Sequence, residues 1–163
     1  MDQFRPAKLW KQMPQERKFE AARAFWEDDQ AAEQQAEAVV AIAHHLKFRP
    51  RSAAALPIER RARYLAGLPV VSDLLAARLL VAYHLATRRP MMGRFLDALG
   101  IAHQDGLITE EHVQRPEKAR LVEAAATLRQ EFAGGDVDLY FRTLVGQDPD
   151  TWSDLSEQVS PEG

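Results

Sequence analysis

Apolar residues recur at helical spacing along most of this chain, and proline and glycine residues interrupt the pattern. Phe19, Ala22 and Trp26, for example, stand at positions i, i+3 and i+7, which places them on one face of a helix. No segment shows the sustained alternation of apolar and polar residues that is typical of a half-buried strand. The chain is therefore predicted to fold as an all-α protein without a β-sheet.

The positions of the helix breakers predict seven to eight helices. The length of 163 residues is close to that of an ordinary domain, and no long linker divides the chain. We therefore predict a single compact bundle over residues 1–163. The two ends, 1–13 and 160–163, are candidates for frayed segments.

Two segments between the predicted helices are less well defined. Residues 15–47 are compatible with one long helix or with two, because the polar junction Glu27–Gln30 contains neither proline nor glycine. Residues 47–56 are predicted as a connector, since the residue before Pro50 disfavours the α conformation.

The most apolar helix is predicted over residues 72–86 and is expected to lie at the centre of the bundle. Only Arg78 and His84 interrupt its apolar run, and Ser72 is placed to cap its N-terminus. The run is too short to cross a bilayer, which needs about 20 apolar residues. Because the polar N-terminus does not resemble a secretory signal, we expect no membrane association and a cytoplasmic location.

The composition and the motifs give little support for an enzyme. The chain has no cysteine, which excludes disulfides, zinc–thiolate sites and cysteine nucleophiles. It contains no phosphate-binding glycine loop, nucleophile elbow or metal-binding histidine motif, so we predict no catalytic residue, no metal site and no cofactor. A buried site near His84 or His103 is the remaining enzymatic hypothesis, although a histidine in an apolar helix is more often part of the core.

The stretch from Asp105 to Thr109 reads DGLIT, with an acidic residue, a turn glycine and an isoleucine in succession. This order resembles the second half of an EF-hand calcium loop, and the resemblance implies a calcium site with Asp105 as the fifth loop residue. However, Ile101, His103 and His112 stand at the first, third and twelfth positions, where that family has oxygen ligands. We therefore favour an Asp-Gly turn followed by a short helix that Thr109 caps.

Charge is distributed unevenly along the chain, although the total is only −3. Residues 47–94 carry 10 basic and 2 acidic side chains, whereas residues 95–163 carry 5 basic and 14 acidic ones. All but one of the basic residues in the middle segment are arginine, whose planar guanidinium group pairs with carboxylate or phosphate. The segment is therefore a candidate anion-binding surface. We favour the alternative that its arginines pair with the acidic third of the same chain or of a second copy.

The candidate binding residues form two short groups in the middle segment: Arg60, Arg61, Arg63, Arg88 and Arg89. The first hypothesis is a non-enzymatic helical module that presents this segment and the acidic C-terminal helices to a protein partner or to itself. The second is binding of an anionic ligand or a nucleic acid through the same arginines. It is less favoured because nucleic-acid-binding modules are usually basic overall, and this chain is slightly acidic.

Overall fold

The structure is a computed structural model that describes residues 2–159. The α-helices in this part of the chain are α1 (Pro6–Gln12), α2 (Gln15–Glu27), α3 (Ala32–Leu46), α4 (Pro50–Ala54), α5 (Ile58–Ala66), α6 (Asp73–Thr87), α7 (Arg89–Leu99), α8 (Lys118–Glu131), α9 (Gly134–Gln147) and α10 (Pro149–Trp152). Short 3₁₀ helices cover Asp2–Phe4 and Ser153–Gln158. Two strands of two residues each, β1 (His103–Gln104) and β2 (Leu107–Ile108), pair in an antiparallel manner. The predicted all-α class is therefore confirmed.

The residues that start and end helices act as predicted at several positions. The Ser72 hydroxyl accepts a hydrogen bond from the backbone N–H of Leu75 over 3.1 Å and so caps α6. The carboxylate of Asp148 caps α10 in the same way. Gly100 ends α7 in the left-handed conformation with a φ of 70°. Gly67, which ends α5, has a φ of −93° instead, because its N–H continues the helical hydrogen bonding.

The backbone contacts divide the chain into two compact units. The N-terminal unit is Arg5–Ala86, and the C-terminal unit comprises residues 1–4 and 87–163. The organisation as a single domain stays a prediction, and so does a place for the 72–86 helix at the centre of one bundle. That helix, α6, has the expected apolar character, and seven of its 15 residues are buried. Within the described residues, no helix combines the length and the apolar character that a membrane crossing requires.

The core of the N-terminal unit is built on the packing of α2 against α5. The residues that the two helices bury are Ala21, Ala22, Phe25, Trp26, Ala62, Leu65 and Ala66. The alanines let the helices approach closely, and Phe25 meets Trp26 edge to face with 5.2 Å between ring centroids. Because α5 buries one face so completely, the opposite face, which carries Arg60 and Arg63, is exposed.

An aromatic cluster forms the core of the C-terminal unit. The ring of Phe95 on α7 lies 5.1 Å from Phe141, 5.7 Å from Tyr140 and 6.1 Å from Trp152, between ring centroids. These residues come from α7, α9 and α10, so the cluster joins three helices. Burial raises the pKa of the Tyr140 phenol well above its ordinary value, because the phenolate would lose its hydration.

Two short helices lie where the sequence predicts none. The helix α1 forms within residues 1–13, the candidate frayed end, because the side chains of Leu9 and Trp10 are both only 2% exposed. The other predicted frayed end, 160–163, lies outside the described residues. The helix α4 forms within the predicted connector 47–56 and starts at its proline. These additions bring the described part of the chain to ten α-helices instead of seven to eight.

The prediction that the chain contains no β-structure is wrong at one hairpin. Asp105 and Gly106 have φ values of 49° and 93°, which suit the two-residue turn that joins antiparallel strands. The helix expected after Thr109 does not form. The N–H of Thr109 instead donates to the carbonyl of Ala102 over 3.1 Å, next to the paired strands.

Residues 15–47 form two helices, α2 and α3, which settles the question that the sequence left open. Asp28 stops α2: its side chain accepts the backbone N–H of Gln30 over 2.9 Å, and its carbonyl accepts the side-chain N–H of Gln35. A short acidic side chain that bonds to the backbone two residues later competes with the helix. No proline or glycine is therefore needed at this junction.

Candidate functional site

The three predicted arginines of α5 lie in the N-terminal unit but differ in their surroundings. Arg60 and Arg63 are exposed and share one face, and no ion pair or side-chain hydrogen bond joins them to another described residue. Arg61 instead packs its guanidinium group over the ring of Trp26, 4.8 Å from the centroid. Arg61 therefore stabilises the packing of α5 on α2 through a cation–π contact.

The other two predicted arginines, Arg88 and Arg89, lie in the C-terminal unit at the start of α7. Nε of Arg88 is 3.2 Å from the carboxylate of Asp136, and both side chains are less than 30% exposed. Arg89 is exposed and donates to the backbone carbonyl of Asp105 over 2.9 Å. The five predicted residues are thus shared between two units, and Arg61, Arg88 and Arg89 have internal contacts.

Other arginines of the middle segment also pair with carboxylates of the same chain. Nε of Arg94 is 3.2 Å from Glu131, a residue of the acidic third. Arg78 lies 2.6 Å from the carboxylate of Asp28, which belongs to the N-terminal part of the sequence. Arg88 and Arg94 are therefore engaged as the favoured interpretation of the charge pattern predicts, whereas Arg60 and Arg63 are not.

Further cations without an acidic partner lie at the end of α3 and the start of α4. Lys47, Arg49 and Arg51 are exposed, and none has an ion pair among the described residues. Together with the two exposed arginines of α5 they form the cationic set, whose members are Lys47, Arg49, Arg51, Arg60 and Arg63. The sequence carries a signal for this group, because three cations fall within five residues of the predicted connector. Lys47, Arg49 and Arg51 are nevertheless not among the five binding residues that the sequence predicts.

An exposed aromatic side chain lies between Lys47 and Arg49 in the sequence. Phe48 is 44% exposed. Among the large apolar residues that are exposed in the described part of the chain, it is the aromatic one. Ile58, at the start of α5, is 37% exposed. The surface of the segment therefore combines positive charge with apolar groups.

His84 is part of the core of α6. It is 2% exposed, its Nδ1 lies 2.8 Å from the carbonyl oxygen of Leu80 one turn earlier, and its ring meets Tyr83 edge to face. A histidine that bonds to its own helix in this way satisfies the structural role that the sequence favoured for it.

His103 lies beside a carboxylate in an open groove of about 380 Å³ in the C-terminal unit. Its Nε2 is 2.7 Å from Oδ1 of Asp97, and its Nδ1 accepts the backbone N–H of Gly106 over 3.0 Å. A general base needs a free nitrogen lone pair within reach of a substrate. Because both ring nitrogens are engaged, the pair holds the hairpin on α7 rather than offering a base.

Within the described residues, no group of three or more histidine and carboxylate side chains is arranged to hold a metal ion. Asp105 is the acidic residue of the loop that resembles an EF-hand. It lies next to a cation, since its backbone carbonyl oxygen accepts a hydrogen bond from Arg89.

The candidate site of this protein is therefore the cationic set of the N-terminal unit. Comparisons with protein-family models, with curated proteins and with solved structures found no match to this chain.

Proposed function

We propose that the protein is a non-enzymatic helical interaction module of the cytoplasm that binds an acidic partner protein through the cationic set. The observation that carries this proposal is the division of the middle segment into engaged and unengaged cations. Arg78, Arg88 and Arg94 pair with internal carboxylates, whereas the cationic set faces solvent without an acidic partner among the described residues. Unpaired guanidinium groups keep their capacity for bidentate bonds to the carboxylates of another molecule.

The charge of each unit agrees with this role. The N-terminal unit carries 13 basic and 9 acidic side chains, a net charge of +4, although the whole chain is acidic. The C-terminal unit carries 8 basic and 15 acidic side chains, a net charge of −7. The attraction of an acidic partner therefore arises in the unit that contains the cationic set.

A protein partner is favoured over a nucleic acid for two reasons. The whole chain carries a net charge of −3, whereas nucleic-acid-binding modules are usually basic overall. The exposed side chains of Phe48 and Ile58 also offer apolar contacts next to the cations. Aromatic residues and arginine are typical of the core of protein interfaces.

The proposal is tested by the fluorescence anisotropy of labelled poly-glutamate titrated with the protein. We expect saturable binding that weakens with added salt, because exposed charges are screened over about 8 Å at physiological ionic strength. The triple variant Arg49→Gln/Arg60→Gln/Arg63→Gln should lose this binding. The matched control Lys8→Gln/Lys11→Gln/Arg120→Gln removes the same charge from exposed positions elsewhere and should bind better than the first variant.

Equal binding by the two triple variants, or no binding by the unaltered protein, would contradict the proposal. Tighter binding to a DNA or RNA oligonucleotide than to poly-glutamate would favour the second hypothesis instead. Light scattering on the unaltered protein tests whether the acidic partner is a second copy of the same chain. A dimer that dissociates in the Arg49→Gln/Arg60→Gln/Arg63→Gln variant would identify a second copy of the chain as the acidic partner.

A further inference from the structure

The end of α3 has the hydrogen bonding of a glycine-terminated helix, but the residue in the glycine position is a lysine. Lys47 has φ 59° and ψ 37°, in the left-handed region. The N–H of Phe48 donates to the carbonyl of Ala43 over 2.8 Å, and the N–H of Lys47 donates to that of His44 over 3.4 Å. This is the Schellman arrangement, which usually has glycine in the left-handed position because a Cβ is unfavourable there.

The same chain ends α7 with the same arrangement and the usual residues. Gly100 has a φ of 70°, and the N–H groups of Gly100 and Ile101 donate to the carbonyls of Asp97 and Leu96 over 3.1 and 3.0 Å. Ile101, the apolar residue after the glycine, is only 8% exposed. An apolar residue at this position ordinarily packs back on the last turn of the helix and stabilises it.

The end of α3 departs from the end of α7 in both respects. Lys47 replaces the glycine, and the apolar residue that follows it, Phe48, is 44% exposed instead of buried. The positive charge of Lys47 near the helix C-terminus offsets part of the backbone strain, since it interacts favourably with the helix dipole. The dipole does not account for an exposed aromatic ring. Strained backbone that stability does not require is a feature of sites that contact ligands.

From this comparison we infer that the tripeptide Lys47–Arg49 is the point at which the acidic partner docks. The partner segment places an apolar side chain against the ring of Phe48, and its flanking carboxylates bond to Lys47 and Arg49. The inference rests on the proposed function and defines the partner more closely, as an acidic segment that also carries apolar side chains. Arg51, two residues further on, extends the positive surface for carboxylates beyond the contact.

Val40 supports an apolar component in the partner. It is 57% exposed on α3, one turn before His44 on the same exposed face of the helix that ends at Lys47. An aliphatic side chain gives no stacking surface for a nucleic-acid base, whereas it adds contact area for a peptide. An acidic and apolar peptide therefore fits this helix end better than a single-stranded nucleic acid does.

The experiment uses two labelled peptides of equal charge. One alternates glutamate pairs with leucine, and in the other each leucine is replaced by serine. We expect the leucine peptide to bind the protein about tenfold more tightly than the serine peptide. Phe48→Ser should abolish this difference, whereas Val70→Ser, which changes another large apolar residue that is 80% exposed, should preserve it.

A second variant separates a structural role of Lys47 from a role in binding. Lys47→Gly should raise the midpoint of thermal unfolding by about 2 °C, because glycine adopts the left-handed conformation without strain. The same variant should weaken binding of the leucine peptide several-fold, and a purely structural role would not produce this combination. Lys8→Gln, at an exposed position outside the segment, should leave both the stability and the affinity unchanged.

Equal affinity for the two peptides would overturn the inference while leaving the proposed function intact. The same conclusion would follow if Phe48→Ser bound the leucine peptide normally, or if Lys47→Gly stabilised the protein without weakening binding. Binding of neither peptide would contradict the proposed function itself. If a single-stranded oligothymidine bound instead, and this binding required Phe48, the ring would be a stacking surface for bases and the inferred acidic partner would be wrong.

Discussion

The Nε2 atom of His103 lies 2.7 Å from Oδ1 of Asp97, and this contact links the β-hairpin to α7. On the other side of the ring, Nδ1 accepts the backbone N–H of Gly106 over 3.0 Å. Gly93 provides the space for the ring, since a Cβ at this position would be 3.3 Å from Cε1 of His103. The histidine therefore joins the hairpin to α7, and its two nitrogens have opposite hydrogen-bonding roles.

These bonds predict the tautomer of His103. Because Nδ1 accepts a hydrogen bond, the neutral ring must carry its proton on Nε2, from which it donates to Asp97. We expect long-range proton–nitrogen NMR correlations of the neutral ring to show the pattern of this single tautomer. His112, which is exposed and has no hydrogen bond to another described residue, should show a mixture and serves as the control. A proton on Nδ1 of His103 would contradict the observed hydrogen bond from Gly106.

The hairpin turn predicts a large difference between two glycine substitutions. A Cβ at Gly106 would lie 2.8 Å from the Cβ of Met92 and 3.3 Å from the carbonyl oxygen of Arg89, on a backbone with a φ of 93°. Gly106→Ala should therefore lower the free energy of unfolding by about 2 kcal/mol. Gly135→Ala, where nothing lies within 4 Å of the new Cβ, should leave stability equal or slightly raised. Urea denaturation measures both, and equal losses would show that the turn is not tightly packed.

Most of the helices could be predicted because their causes are local. Apolar spacing, proline at helix starts and capping side chains such as Ser72 all act within a few residues of the sequence. The two missed helices have causes that the sequence hides. The helix α1 depends on the burial of Leu9 and Trp10, and burial is decided by other parts of the chain. The helix α4 has only five residues, too few for a periodic pattern.

The hairpin shows a different limit of sequence reasoning. Asp-Gly is a strong signal for a two-residue hairpin turn, and it is present at Asp105 and Gly106. Strands of two residues, however, are too short to alternate visibly between apolar and polar positions. The sequence therefore predicts a simple turn at this dipeptide and no strands beside it. The positive φ values and the packing of Gly106 on Met92 became evident only in the structure.

The candidate site could be predicted only in part. The sequence singled out the arginine-rich segment, but it did not show which guanidinium groups have partners. Arg88 pairs with Asp136, which is 48 residues away along the chain, and Arg61 lies over Trp26. Such distant contacts depend on tertiary packing, so spacing alone does not reveal them. The left-handed backbone of Lys47 could not be predicted either. In a sequence, glycine indicates that conformation, and lysine does not.

Asp73 gives the N-terminal unit a contribution to stability that depends on pH. The hydrogen bond from the N–H of Ala7 over 3.0 Å, together with Arg5, holds the pKa of Asp73 below its ordinary value of 3.8. A carboxylate with a lowered pKa in the folded state stabilises the fold above its unfolded pKa, and this contribution is lost as the pH falls through the folded pKa. Asp73→Asn should therefore cost stability at pH 7 but not below the lowered pKa.

The magnitude of this effect is limited because the Asp73 side chain is 42% exposed, so we expect a loss below about 1 kcal/mol at pH 7. Urea denaturation of the wild type and the variant at several pH values measures it. Glu111→Gln, at an exposed position without an ion pair in the described chain, should show no such dependence. A loss that is constant from neutral to acid pH would mean that the charge of Asp73 is not responsible.

The ion pair of Asp28 and Arg78 should contribute more than an exposed pair of the same type. The two groups are 2.6 Å apart with side chains only 21% and 27% exposed, whereas Arg23 and Glu27 are 3.8 Å apart and more than half exposed. Water and salt screen the second pair more strongly.

A double-mutant cycle with Asp28→Asn and Arg78→Met should give a coupling energy of about 1–2 kcal/mol. Asparagine is chosen at residue 28 because it keeps the turn there while the charge is lost. The corresponding cycle for Arg23 and Glu27 should give less than about 0.5 kcal/mol and should vanish in high salt. Equal coupling in the two cycles would show that burial does not strengthen the pair, and Asp28 would then act on the fold only through its turn.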